Sequence, residues 1–214
     1  GKEKFGLADE PVFDSASFIQ MHLFDGDDAS CLNLNQVQNP KILGIDAQYF
    51  QQRKAFSFDK VLKDLDADFL WSELEKSFGR NVIPAIADQT VIQWGLLKKV
   101  GDTIYYKNEF GEDLKLVLIA GLAASIFQGN ILISEKHFIE NFPSISGSNI
   151  MLVETSNKQI HKFEKNLRFY FQDYGVEINR TEDRLKEFYS ITNSYLSIFL
   201  ALGALGVIIG TIGL

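Results

Sequence analysis

The last twenty residues, YLSIFLALGALGVIIGTIGL, carry no charge. As an α-helix rising about 1.5 Å per residue, this run spans about 30 Å, the thickness of a bilayer's hydrocarbon core. A helix apolar on every side needs protein or lipid all round it, and a domain of this size has little protein with which to surround one. Residues 195–214 therefore read as the start of a transmembrane helix. Gly206 and Gly210 form G-x-x-x-G, and Gly203 and Gly213 extend a stripe of small residues that lets membrane helices approach closely. No Lys or Arg follows Leu214 to hold a far end at the lipid headgroups, so the sequence reads as cut there, a fragment of a membrane protein.

Upstream, NRTEDRLKEFYSITNSYLSIF is itself helical in pattern. Thr181 can cap, Glu182 and Asp183 suit the positive first turn, and Leu185, Phe188, Tyr189, Thr192, Tyr195 and Leu196 fall on one face. Neither Pro nor Gly interrupts residues 181–202. A single stiff helix would leave the water-facing part and enter the membrane without a joint, with Tyr189 and Tyr195 near the interface. Such a helix is a lever.

The 214 residues, 46% hydrophobic and 23% charged, suffice for one sizeable core or two small ones. A net charge of −7 with no run of basic residues argues against nucleic acid, whose phosphates need clustered Lys and Arg. Cys31 is the only cysteine, which excludes an intrachain disulfide and a cysteine-based metal site. Nothing in the sequence orients it against His22 as a nucleophile and base, so it reads as a small buried thiol. The first residues, GKEKFGLADE, lack the apolar core of a signal peptide.

In the water-facing part, SFIQMHLF and PKILGID read as strands separated by an acidic, polar stretch. Its Asp25, Asp27 and Asp28 lack the spacing of a calcium loop and suit a solvated turn. Between residues 55 and 81, two weakly amphipathic stretches, 61–65 and 69–78, read as helices. A strand at 82–86 then runs into a short helix carrying Val91, Ile92 and Trp94. A hairpin pairs 103–107 with 114–122 across a turn at 108–113, and a strand at 131–133 leads into a short helix from Glu135. NIMLVET reads as a buried strand. The helix after it has apolar positions Ile160, Phe163, Leu167, Phe171 and Tyr174 and a C-cap at Gly175, and residues 176–179 read as a further strand.

The commonest nucleotide, zinc and acyl-transfer signatures are absent, including G-x-x-x-x-G-K-[ST], H-E-x-x-H and G-x-S-x-G. His22, His137 and His161 fall in different elements and form no metal-ligand pattern. No catalytic, cofactor or metal residue is assigned, and an enzyme is not expected. Asn179-Arg180-Thr181 matches a glycosylation sequon, which has meaning only in a eukaryotic secretory pathway.

Two stretches carry a family resemblance. IPAIADQTVIQWGLLKKVGDTIYYKNEFGEDLKLVLIAGLAAS is similar to a segment in which a strand and a short helix precede a "vGdti" and a hairpin. The stretch from NIMLVET to the end is similar to the close of the same domain, running into a membrane helix with regularly spaced glycines. PKILGIDAQYF resembles the strand and short helix before the insert. Together they resemble MacB/FtsX-like ABC transporter permeases.

The resemblance implies an α+β, two-lobed extracytoplasmic domain of the MacB-like periplasmic type. A porter-like α+β lobe would comprise residues 1–55 and 148–194, an inserted β-rich, sabre-like lobe residues 56–147, and the start of a transmembrane helix residues 195–214. It also implies a cytosolic ABC ATPase that binds the ATP, so that this chain needs no cofactor. A second permease copy would complete a homodimer or heterodimer, and an extracytoplasmic protein or lipoprotein is a further expected partner. The domain would sit on the periplasmic side of the bacterial cytoplasmic membrane and pass motion outward. The stretches at 55–81 and DDASCLNLNQVQN carry no motif of the efflux, lipoprotein-release or cell-division branches, so the resemblance names no substrate. Two rival readings stand beside it. One is a membrane-tethered binding module with no motor and a plain anchor; the other is a tethered enzyme, which would need a deep pocket lined by acids, His or Cys31. Because the P-loop is absent, the purified chain alone should release no phosphate from ATP above a protein-free blank, and robust hydrolysis would contradict this expectation.

Overall fold

The computed structural model describes residues 13, 16–26, 39–54, 56–145, 147–156 and 159–212. Cys31, Asp27, Asp28, Gly213 and Leu214 lie outside them, and the side chains of Thr192 and Tyr195 are likewise not described. Eight strands form one mixed sheet: β1 Ser17–Phe24, β2 Lys41–Ile45, β3 Phe58–Val61, β4 Val82–Asp88, β5 Thr103–Lys107, β6 Asp113–Leu122, β7 Asn130–Ser134 and β8 Ile150–Glu154. Their order is β3-β6-β4-β7-β2-β1-β8, with β5 also paired to β6. The β2–β7 and β4–β6 pairings are parallel and the others antiparallel. The helices are α1 Ala47–Arg53, α2 Leu70–Glu73, α3 Glu135–Asn141, α4 Ile160–Phe171 and α5 Thr181–Ile212. This is an α+β fold.

Alternation along the strands sends successive side chains to opposite faces, and both faces are covered. On one, Ile42, Ile83, Ala85, Ile131 and Ile133 pack with Phe138 and Phe142 and with a π-helical turn at Val91–Gly95. On the other, Leu43, Ile45, Ile86 and Leu132 pack with Phe50 of α1, with Leu70 and Trp71 of α2, and with Phe127. A bulge in β6 serves both faces. Ala85 pairs with Leu118 but Ile86 pairs with Ala120, so the extra residue Ile119 reverses the alternation. Leu114, Leu116 and Leu118 therefore join the first core, while Ala120 and Leu122 join the second.

Local polar contacts explain several element boundaries. The fully buried Asp88 accepts from Thr90 N (3.0 Å), Thr90 Oγ1 (2.6 Å) and, across the fold, Ser125 N (2.8 Å), which starts the π-helical turn after β4. Asn108 Oδ1 accepts from Phe110 N (3.0 Å) and Glu112 N (2.9 Å) and closes the β5–β6 turn. Ser134 caps α3 through His137 N, and Gly175, at φ 65°, ends the 3-10 turn that extends α4.

Two expectations fail between residues 55 and 81. Residues 61–65 are not helical: β3 pairs with β6, and Leu62 N donates to Ile119 O (2.9 Å), so an available strand edge overrides a weak helical pattern. Within 69–78 only Leu70–Glu73 is α-helical, preceded by a 3-10 turn that Asp66 caps. Residues 176–179 also form no strand, because the Ile178 carbonyl is taken by the Arg168 guanidinium (2.6 Å) and Val176 is exposed. The sheet runs through both expected lobes, with β1, β2 and β8 from one and β3 to β7 from the other, joined at β2–β7. The chain's two compact units divide inside α4, between Phe163 and Glu164.

Gly44 on β2 lies against α3, where a Cβ would come within 2.6 Å of Phe138 Cβ and Cγ. Gly44→Ala should therefore destabilise the first unit by about 1–3 kcal/mol through overpacking, read as a lower denaturation midpoint.

Candidate functional site

In the second unit, α4 passes through the 3-10 turn and a short irregular segment into α5. Two arginines meet on one carboxylate there. Glu164 Oε2 accepts from Arg180 Nε (2.9 Å) and Nη2 (2.7 Å), and Glu164 Oε1 accepts from Arg168 Nε (3.2 Å) and Nη2 (3.0 Å). Arg168 Nη2 also reaches the Ile178 carbonyl, while the Arg180 carbonyl accepts from Arg184 N (3.1 Å) in the first turn of α5. Charge-assisted bonds from two planar guanidiniums thus tie α4 to the residues from which α5 grows. The Arg180 bonds, then those of Arg168, hold the Glu164 carboxyl below the usual 4.5, and Glu164 in turn raises Arg180.

From this root α5 runs 32 residues without a break, about 48 Å at the helical rise. Its first turns carry charge. Arg184 lies over the Phe188 ring at 5.2 Å, and Leu185 and Phe188 are half-buried, whereas Thr181 and Tyr189 are exposed. From Leu196 onward the described side chains are uncharged, and the large ones stand open, Leu200 at 73% and Phe199 at 69%. Ser197 and Thr211 donate to carbonyls of their own helix, to Asn193 (2.8 Å) and to Val207 (3.0 Å). A Cβ placed on Gly203, Gly206 or Gly210 would meet nothing within 4 Å. Among the described residues no helix is long and apolar enough to cross a membrane; Gly213, Leu214 and the Tyr195 side chain, all part of the twenty-residue run, are not among them.

His137 is buried and bonds the Lys76 carbonyl through Nε2 (2.8 Å), and His161 is exposed on α4. His22 Nε2 meets Glu135 Oε1 at 2.9 Å, its ring stacks on Phe138, and its buried Nδ1 has no partner among the described residues. Among the described residues no three His, Cys, Asp or Glu side chains group to hold a metal. A groove of about 490 Å³ in the first unit is lined by Lys60, Val61, Leu62, Lys63, Lys99 and Val100, which bring no acid, histidine or cysteine into it.

No family model matches the chain, and no curated protein matches it. Solved structures do, two of which are described. One is the extracellular domain of the noncanonic ABC-type transporter YknZ from Gram-positive bacteria, at 15% identity over 82% of this chain and 84% of that one, with a TM-score of 0.36. The other is the periplasmic region of MacB from Actinobacillus actinomycetemcomitans, at 13% identity over 77% of this chain and 70% of that one, with a TM-score of 0.33. The chain is similar to extracytoplasmic domains of ABC transporter permeases. With TM-scores below 0.5, neither structure transfers a residue's role, and the functional reading has to come from this chain's own side chains.

Glu164, Arg168 and Arg180 were not singled out by the sequence. The spacing of Glu164 and Arg168 is that of an i, i+4 helical pair, but nothing in the sequence couples either to Arg180. A carboxylate whose folded value is depressed stabilises above its unfolded value and loses that contribution as pH falls through the folded one. The protection factor of the Arg184 amide, its intrinsic exchange rate at a given pH divided by the observed one, should therefore be high at neutral pH and fall below about pH 4.5, whereas Glu164→Gln should remove this step.

Proposed function

We propose that this chain is the extracytoplasmic domain of an ABC transporter permease subunit, followed by a helix that enters the cytoplasmic membrane. It would couple ATP hydrolysis by a cytosolic ATPase to movement or release of a substrate, lipoprotein or protein partner outside the membrane. The observation that carries this reading is α5: one unbroken helix, clamped to α4 at its charged end and bare at its apolar end. Burying a large apolar side chain is worth roughly 1.5–3 kcal/mol, so the exposed Leu, Ile, Val and Phe residues from Leu196 to Ile209 leave on the order of 10 kcal/mol to be gained from a surrounding medium. Lipid supplies that medium, and Ser197 and Thr211 already satisfy their hydroxyls within the helix, as lipid requires.

Gly203, Gly206 and Gly210 offer bare backbone to a neighbouring membrane helix, from the same permease or a second copy. In the two-lobed reading, the porter-like lobe and the inserted lobe meet where β2 pairs with β7. The chain would act without catalysing a reaction itself, since the ATP belongs to the partner. A motor-free tethered module shares the lipid-borne helix but gains nothing from a rigid junction, and this separates the two readings.

A flexible Gly-Ser joint inserted between Ser190 and Ser194 of the full-length protein, assembled with its ATPase in nanodiscs, makes the test. The measurement is the ATP-dependent change in energy transfer between a dye on the exposed Met151 of β8 and one at the membrane surface. The joint should abolish this change and leave ATP hydrolysis intact. An undiminished change would rule out the lever, and no change in the parent protein would leave the tethered module standing.

A further inference from the structure

We propose that Glu164 is the positioning residue of this transmission: by gathering Arg168 and Arg180 on one carboxylate, it fixes the direction in which α5 leaves α4. The proposal rests on the permease reading for its purpose, but its geometry stands alone. The connection between the helices turns at Gly175, which takes a left-handed φ of 65°, and residues 176–180 have no regular structure. Glu164 restrains it at two points. Arg168 carries one restraint to the Ile178 carbonyl, and Arg180 carries the other to the start of α5, where its own carbonyl accepts the Arg184 amide.

The charges around Arg180 explain why a carboxylate on α4 is needed. Glu182 and Asp183, in the first turn of α5, also attract Arg180. With Glu164 present, the guanidinium spans from the root of α5 to α4. With Glu164 neutral, its charge-assisted hold on Arg168 and Arg180 weakens, while Glu182 and Asp183 still draw Arg180 toward α5. The bridge then loosens without any loss of the sheet, because Glu164, Arg168 and Arg180 all belong to the second unit. Among the described residues, Arg168 and Arg180 bear on Glu164, and Glu182 and Asp183 bear on Arg180.

The test uses the full-length protein in nanodiscs, with Cys31→Ser and spin labels at Phe169→Cys on α4 and Ser190→Cys on α5, both exposed positions. The parent protein should give one narrow distance distribution. Glu164→Gln and Glu164→Arg should broaden it and quicken amide exchange at Arg184 roughly three- to tenfold, while exchange in the sheet stays unchanged. Arg180→Gln, which breaks the same bridge from its other side, should also broaden the distribution, and Glu164→Gln with Arg180→Gln should be no broader than Glu164→Gln alone, which a mere packing role for Glu164 would not give. Distributions of equal width in the parent, Glu164→Gln and Glu164→Arg overturn the proposal, as do two single-variant effects that add in the double variant. A narrow, carboxylate-dependent junction in a protein whose head is indifferent to the Gly-Ser joint would uphold the positioning role of Glu164 and remove the permease reading. A junction indifferent to Glu164, in a protein that the joint uncouples, would do the reverse.

Discussion

Strands β2 and β7 lie far apart in sequence, and their parallel pairing, from Lys41 opposite Asn130 to Ile45 opposite Ser134, is the contact that makes one sheet out of two halves. Loop closure over such a separation must be met before any ladder bond is gained. Packing supplies what offsets it. Ile42 and Leu43 of β2 and Ile131 and Leu132 of β7 feed both cores at once, and Gly44 leaves the space in which α3 lays Phe138 against the strand. The β6 bulge at Ile119 continues the same economy across the sheet, letting one long strand serve both faces.

The second unit works on different terms. It has few buried apolar side chains, and its described order comes from charge at one end of α5 and waits on apolar surroundings at the other. The carboxylate of Glu164 is strongest as an anion between two guanidiniums, and the apolar run is most stable out of water.

Much of the first unit was legible because its signals are local. Alternation marked SFIQMHLF and TIYYK as strands and the residues from Asn108 to Asp113 marked the hairpin turn, while in the second unit Gly175 marked the end of the turn that extends α4. Residues 61–65 misled because Val61, Leu62 and Leu65 suit a helix in isolation; the free edge of β6 lies far along the chain and leaves no trace in that window. VEIN misled for a related reason. Its alternation is real, but a strand needs a neighbour, and Arg168 took the Ile178 carbonyl first.

The sequence by itself determined that a long uninterrupted helix closes the chain, that its second half is uncharged and glycine-striped, and that no nucleotide or zinc signature accompanies it. Those properties reside in consecutive residues, and helical periodicity is enough to read them. Only the tertiary structure decided what that helix is tied to. Glu164 and Arg180 belong to different elements and meet because a turn at Gly175 brings α4 and the start of α5 together. A contact of that kind depends on the path of the backbone, which no spacing rule along the chain encodes.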